Sequence, residues 1–289
     1  MYSYKRKNLP KNTVELSIVS PWKDIKIEYD LAFEELKKNM KSEGFRKGKV
    51  PKEIAEKKIP KSDVYDKLIR TYLTKIYGEI VKKEDMKPII SPKLELKEAA
   101  EGKDWKMTVT TAESPEVKLG SYKDAAKKAG DKAMKSNIWV PGKDVKGNDK
   151  DKEKQDQAVF QAKLSAVLDS SKAEISDLIV EEEVNGRLAK IVDDVQRVGL
   201  SMEKYLESKG LTNDKLKEQI TKEIVDTYKM EFILQKIADV EKIEVSSDDI
   251  QKMLNNVKDE KEKQNIQQNA YYYASLLRKQ KTLEYINSL

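Results

Sequence analysis

The carboxy-terminal half of this chain carries apolar residues at intervals of three and four positions, a spacing that restricts it to helices. The period continues from residue 158 almost to residue 289. The apolar period is interrupted at residues that end or begin helices. Gly199 and Gly210 follow apolar stripes, as glycines that end helices do, and Ser201 and Thr212 precede apolar stripes, as N-cap residues do. The sequence therefore predicts an elongated, all-α domain over residues 158–289.

The amino-terminal part mixes strand and helix patterns. The predicted elements are a strand at 14–19, helices at 22–41 and 52–58, a long helix capped by Ser62 or Asp63 and ending before Pro88, and strands at 89–96 and 105–111. Three strands of this kind form an antiparallel sheet with helices on one face. We therefore predict an α+β domain over residues 1–115.

Residues 116–157 match neither pattern. Almost every residue from Gly142 to Gln157 is charged or turn-forming, a composition that does not build a core. We predict an extended linker with a charged insert, which includes a short helix at 125–134. A packed, strand-like segment at 137–141 would use Trp139 as a core or interface anchor.

One loop places an aromatic ring among cations. Its residues are Gly44, Phe45, Arg46, Lys47, Gly48, Lys49, Val50 and Pro51. The glycines suit a sharp turn, and Pro51 fits the first turn of a following helix. Phe45 has no apolar partner within the loop, so an exposed ring there would anchor another molecule. The alternative is a solvated basic turn beside a Phe that belongs to the core.

Composition argues against catalysis. The 289 residues include neither Cys nor His, which removes thiolate chemistry, the usual general base and the commonest metal ligand. Charged residues make up 37% of the chain, so adjacent carboxylates such as Glu181–Glu183 are expected on solvated helix faces. The sequence has no phosphate-binding glycine loop and no calcium-loop spacing. We predict no catalytic residue, no metal and no cofactor.

Charge and hydropathy indicate a cytoplasmic protein. The net charge of +6 is small for this length, and its basic bias is concentrated between Lys41 and Lys52. The first ten residues lack the apolar run of a signal peptide. No stretch approaches the roughly 18 apolar residues of a membrane span. We predict no membrane partner.

The octet at 44–51 resembles the ribosome-docking signature of the trigger factor family of bacterial nascent-chain chaperones. The order of predicted elements over residues 10–115 is similar to the amino-terminal domain of that family. Segments at 171–176, 198–206 and 243–247 resemble its carboxy-terminal domain in spacing and order.

The resemblance implies an ATP-independent chaperone that docks at the ribosome exit tunnel and holds nascent or unfolded polypeptides in a helical cradle. Its partners would be protein and rRNA of the large subunit, client polypeptides and, weakly, a second copy. It assigns ribosome binding to Gly44, Phe45, Arg46, Lys47, Gly48, Lys49 and Pro51. The FKBP-type prolyl isomerase domain of the family, about 85–100 residues as for a small domain, does not fit into residues 123–157. We predict that it is absent.

Client contact is assigned to apolar and amphipathic side chains of the helical domain. They are Met202, Tyr205, Leu206, Tyr271, Tyr272 and Tyr273. Three consecutive tyrosines on one helix cannot all face a core, and Tyr combines an apolar body with a wettable tip. The alternative for these tyrosines is packing against a neighbouring helix.

Two other functions stay open. A periplasmic chaperone of the SurA type would share the helical half, but the missing signal pattern and the octet argue against it. An RNA-binding module would use the basic segment Lys41–Lys52 directly, and it would bind naked RNA with a steep salt dependence.

Overall fold

The computed structural model describes residues 2–136, 149–257 and 259–289. The chain divides into two compact units, Met1–Ser114 and Pro115–Leu289. The predicted strand-like segment at 137–141, with Trp139, lies outside the described residues. None of the described helices is both long enough and apolar enough to cross a membrane.

The first unit combines an antiparallel sheet with three helices, which confirms the predicted α+β fold. Its elements are β1 (Ser3–Leu9), β2 (Thr13–Ser20), α1 (Trp22–Asn39), α2 (Lys52–Lys58), α3 (Lys61–Lys83), β3 (Lys93–Glu98) and β4 (Trp105–Ala112). The strand order is β1-β2-β4-β3, and all neighbouring strands are antiparallel.

Alternation along the central strands builds the core of this unit. In β2 and β4, every second side chain is buried, among them Leu16 and Val109, which pair across the two strands. The apolar stripe of α3, which includes Leu68 and Ile76, belongs to the same cluster, together with Ile25 of α1. One face of the sheet therefore packs against the helices, as the period of two requires.

The strand predicted at 89–96 is shifted, since β3 spans Lys93–Glu98, and two further details of the first unit differ from the sequence prediction. Strand β1 was not predicted, because its run of Lys5, Arg6 and Lys7 hides the alternation. It joins β2 through a turn whose central residues, Lys11 and Asn12, both have positive φ, the geometry that suits the twist of a hairpin. In addition, α3 begins at Lys61 with Pro60 at the N-cap position, rather than at Ser62 or Asp63.

The second unit is mostly helical. Its elements are β5 (Val117–Lys118), α4 (Tyr122–Ser136), α5 (Asp149–Ser170), β6 (Lys172–Ala173), α6 (Asp177–Arg197), α7 (Met202–Lys209), α8 (Asn213–Val240), α9 (Ser247–Asn256), α10 (Glu260–Gln268) and α11 (Ala270–Ser288). The predicted caps are confirmed, since the side chains of Ser201 and Thr212 accept the backbone hydrogen bonds that begin α7 and α8. The short antiparallel pair β5–β6 departs from a purely α-helical domain.

The predicted short helix at 125–134 is present as the longer helix α4, whereas the prediction of an extended, charged insert up to residue 157 is wrong where α5 lies. Helix α5 begins at Asp149, nine residues before the predicted start at Ala158. Residues 149–157 contain no Gly or Pro, and Lys, Glu and Gln favour helix once a packed neighbour is present. The two helices approach closely at Gly130, where an added Cβ would lie 2.6 Å from Cε of Lys163. Lys163 is buried, and its Nζ donates to the Asn287 carbonyl at 2.6 Å.

Candidate functional site

The loop between α1 and α2 consists of two consecutive β-turns. The Phe45 N–H donates to the Ser42 carbonyl at 3.1 Å, and the Lys49 N–H donates to the Arg46 carbonyl at 2.9 Å. The third residue of each turn is a glycine, Gly44 or Gly48, with φ of +79°. A glycine at that position with positive φ fits a type II turn. The two glycines therefore fix the path of the loop, as the sequence predicted.

The apex of this loop is exposed. Phe45 retains 41% of its residue accessible surface, so it does not belong to the core of its own unit. Arg46, Lys47 and Lys49 are exposed as well, and none of them has an ion-pair partner within the described part of the chain. The loop thus presents one large apolar ring among three cations that form no ion pair with a described carboxylate.

The base of the loop is fixed to the domain at three places. Val50 is 2% exposed and lies in the core cluster. Nζ of Lys58, at the end of α2, donates to Oγ of Ser42 at 2.9 Å. Gly48 lies so close to α1 that an added Cβ would be 3.1 Å from the Lys38 carbonyl oxygen. Sequence reasoning did not find the roles of Val50, Lys58 and Lys38, although an apolar Val inside a basic segment was the available signal.

The two loop glycines should respond differently to substitution. We expect Gly44→Ala to lower the free energy of unfolding by about 1–2 kcal/mol, the cost of a left-handed alanine. Gly48→Ala should cost more, because its methyl group would also press against the Lys38 carbonyl. Urea unfolding of both variants, followed by circular dichroism, measures the difference. An equal or smaller loss for Gly48→Ala would show that the loop is not packed against α1.

The predicted client-binding residues differ in accessibility. Tyr271 and Tyr272 of α11 are 90% and 59% exposed. Met202, Tyr205 and Tyr273 are half-buried, and the Tyr273 ring lies edge-on to that of Tyr272. Leu206 is 7% exposed. It is therefore a core residue of α7, which corrects its assignment as client-binding.

The described residues offer no ligand set for a metal. They contain no group of three or more His, Cys, Asp or Glu side chains arranged to hold one. Several tyrosines donate hydrogen bonds to carboxylates and have raised pKa values, among them Tyr228, whose hydroxyl donates to Glu183 at 2.7 Å. Burial raises the pKa of Tyr228 to about 12, with Glu183 adding to the shift. Such contacts join helices and have no histidine beside them to act as a general base.

Comparison with known families covers both units. A family model described as "Bacterial trigger factor protein (TF)" matches residues 2–138, and one described as "Bacterial trigger factor protein (TF) C-terminus" matches residues 146–287. The chain belongs to the trigger factor family. The two matches are separated only by residues 139–145.

Curated trigger factors match parts of the chain. The protein from Staphylococcus carnosus (strain TM300) is 37% identical over 108 residues, which are 37% of this chain and 24% of the relative. The protein from Streptococcus mutans serotype c is 35% identical over 100 residues, 35% of this chain and 23% of the relative. For Staphylococcus aureus (strain JH9), the identity is 28% over 168 residues, 58% of this chain and 33% of the relative. The matched segments thus span about a quarter to a third of each relative.

A solved structure shares the fold. It is reported as "Promiscuous Substrate Recognition in Folding and Assembly Activities of the Trigger Factor Chaperone". The alignment covers 98% of this chain and 99% of that chain, with a TM-score of 0.63 and 15% sequence identity. The trigger factor fold thus extends over both units of this chain.

Proposed function

We propose that this protein is an ATP-independent chaperone that docks at the exit tunnel of the large ribosomal subunit and holds nascent or unfolded polypeptides. The observation that carries the proposal is the exposed Phe45 ring on a loop with a fixed base. In this proposal the first unit docks, the second unit holds the client, and both act in the cytoplasm. Membership of the trigger factor family supports the chaperone role.

Docking would combine an apolar anchor with charge. Phe45 would insert between groups at the ribosomal surface, where a buried aromatic ring contributes most to affinity. Arg46, Lys47 and Lys49 would pair with RNA phosphates or acidic side chains, contacts that carry no sequence information. Because phosphate contacts release counterions, docking should weaken steeply as salt increases.

Holding would depend on many weak apolar contacts. Tyr271 and Tyr272 present exposed rings on α11, and Val198 and Leu200 present exposed aliphatic side chains beside the end of α6. Because each contact of this kind is weak, a client can be released without nucleotide. Such contacts also adapt to clients of varied sequence. The seven residues between the two family matches leave no space for an isomerase domain of the usual size. Holding without catalysis is therefore the proposed mechanism.

Aggregation of a refolding client tests the holding function. We expect the wild-type chain, without nucleotide, to suppress light scattering by a client diluted from denaturant. Tyr271→Ser/Tyr272→Ser should be several-fold less effective per molecule, because two exposed apolar rings are lost. Tyr271→Phe/Tyr272→Phe is the matched control and should keep the activity. Suppression that required ATP, or that ignored the serine substitutions, would count against the proposal.

Catalysis of prolyl isomerisation is a separate question. Uncatalysed isomerisation takes on the order of 10–100 s at 25 °C, so a proline-limited refolding reaction resolves any acceleration. We expect none from this chain.

A further inference from the structure

A groove lies in the first unit between α1 and α2, and none of the docking-loop residues 44–51 lines it. Its volume is about 370 Å³, within the range of sites that bind small molecules or single side chains. Apolar side chains form much of the wall: Trp22, Tyr29, Phe33, Ile59 and Tyr65. All except Phe33 keep part of their surface accessible. The groove is thus an opening to partly exposed aromatic rings.

The positions of these residues follow from helix geometry. Trp22, Tyr29 and Phe33 are separated by seven and four residues, so they share one face of α1. Tyr65, in the first turns of α3, packs its ring 5.0 Å from that of Tyr29 and 5.8 Å from that of Trp105, measured between centroids. Trp105 is buried in the core. A ligand in the groove would therefore contact rings that are held in place from below.

The charges around the groove cancel. Its charged residues are Lys26, Asp30, Lys52, Glu56, Lys61 and Glu101, three cations and three carboxylates. Two of the cations already have partners at the rim, Lys52 with Glu56 on the same helix at 3.8 Å and Lys61 with Glu101 at 3.4 Å. A polyanion gains nothing from such a rim, in contrast to the docking loop, whose three cations have no ion-pair partner among the described residues. The balance of charge therefore favours an uncharged apolar group over a nucleic acid base with its phosphates.

We propose that this groove binds a neutral, aromatic side chain of an unfolded polypeptide, as a client site on the same unit as the docking loop. This inference rests on the proposed chaperone function, which makes an unfolded polypeptide the partner, and it does not depend on ribosome docking. Helix α2 follows the docking loop directly and forms one wall of the groove. A client side chain bound there would be held immediately beside the docking point.

Because the chain has no cysteine, a single introduced thiol reports on the groove. Lys26→Cys places the thiol at the rim, and Ile27→Cys, on the same helix but outside the groove and 52% exposed, is the matched control. Both full-length variants react with bromoacetyl-Gly-Phe-Gly-amide and with its Ser analogue. Each rate is divided by the rate with bromoacetamide, which corrects for intrinsic thiol reactivity.

We expect the Lys26→Cys variant to react about tenfold faster with the Phe peptide than with the Ser peptide, the gain from burying one aromatic ring. The Ile27→Cys variant should react with both peptides at equal rates. In Lys26→Cys/Ile59→Glu, a carboxylate in the apolar wall should abolish the preference.

The groove site would be overturned if each single variant reacted with the Phe peptide and the Ser peptide at equal rates. It would also be overturned if Ile59→Glu left the preference for the Phe peptide unchanged. Ribosome docking would stand in that case, because Phe45 does not line the groove. If the Lys26→Cys variant preferred the Phe peptide but the wild type did not suppress client aggregation, the holding function would be overturned instead.

Discussion

Simultaneous replacement of Phe45, Arg46 and Lys47 by alanine should weaken co-sedimentation with ribosomes at least about 100-fold. The ring supplies the apolar anchor, and its 41% exposed surface is available for burial at the ribosome. The two cations have no ion-pair partner among the described residues, so no existing ion pair has to be broken before they contact phosphates. Because the base of the loop depends on Val50 and Gly48, the triple variant should keep its fold.

A matched triple variant separates docking from general charge. Lys23→Ala/Leu31→Ala/Lys57→Ala also removes two exposed cations and one exposed apolar side chain from the first unit. It should co-sediment like the wild type. Arg46→Ala or Lys47→Ala alone should reduce the salt slope by about 0.7–0.9 per lost phosphate contact, and Phe45→Ala should leave the slope unchanged. Unchanged pelleting of the loop triple variant would end the docking proposal.

Glu241→Ala should destabilise the second unit by about 2–3 kcal/mol, since a carboxylate that accepts several hydrogen bonds is lost. Glu241 follows α8, and its Oε1 accepts from the Tyr122 hydroxyl at 2.6 Å and lies 2.8 Å from Nζ of Lys123. Its Oε2 accepts from the Tyr285 hydroxyl at 2.9 Å. The side chain is 19% exposed and joins α4, α8 and α11. Urea unfolding at pH 7 measures the loss, and Glu244→Ala, an exposed neighbour, is the control.

The contribution of Glu241 should depend on pH. The Lys123 ammonium, followed by the Tyr122 hydroxyl, lowers the pKa of Glu241 from 4.5 to about 2. Because the pKa is lower in the folded state than in the unfolded chain, the stabilisation is complete above pH 4.5 and is lost as pH falls towards 2. The difference in unfolding free energy between wild type and Glu241→Ala should therefore shrink below pH 4.5. A constant difference from about pH 7 to about pH 2.5 would show that Glu241 acts without its charge.

Local signals account for much of the fold. The caps at Ser201 and Thr212 were predicted because each precedes an apolar stripe, and both side chains accept the expected backbone hydrogen bond. The start of α5 was not predicted, because its charged first turns have no apolar stripe and depend on tertiary context. Strand β1 was missed for a related reason, since a charged edge strand shows little alternation in its sequence.

Part of the candidate site could likewise be predicted from the sequence, and part could not. The octet was recognisable because its chemistry is contiguous in sequence, and the positive φ of Gly44 and Gly48 followed from residue type alone. The exposure of Phe45 and the burial of Leu206 were not predictable from sequence, because both depend on which helices pack over them. The aromatic groove was missed because α1, α2 and α3 each contribute only part of its wall.

Binding to large ribosomal subunits, compared with binding to protein-free RNA extracted from the same subunits at the same salt, tests the account most directly. A docking chaperone needs the assembled surface into which Phe45 inserts. We predict saturable binding to subunits at least about tenfold tighter than binding to the free RNA, a difference of about 1.4 kcal/mol. The Phe45→Ala/Arg46→Ala/Lys47→Ala variant should lose that advantage. Equal affinity of the wild type for free RNA, with the same salt slope, would contradict docking and favour an RNA-binding module.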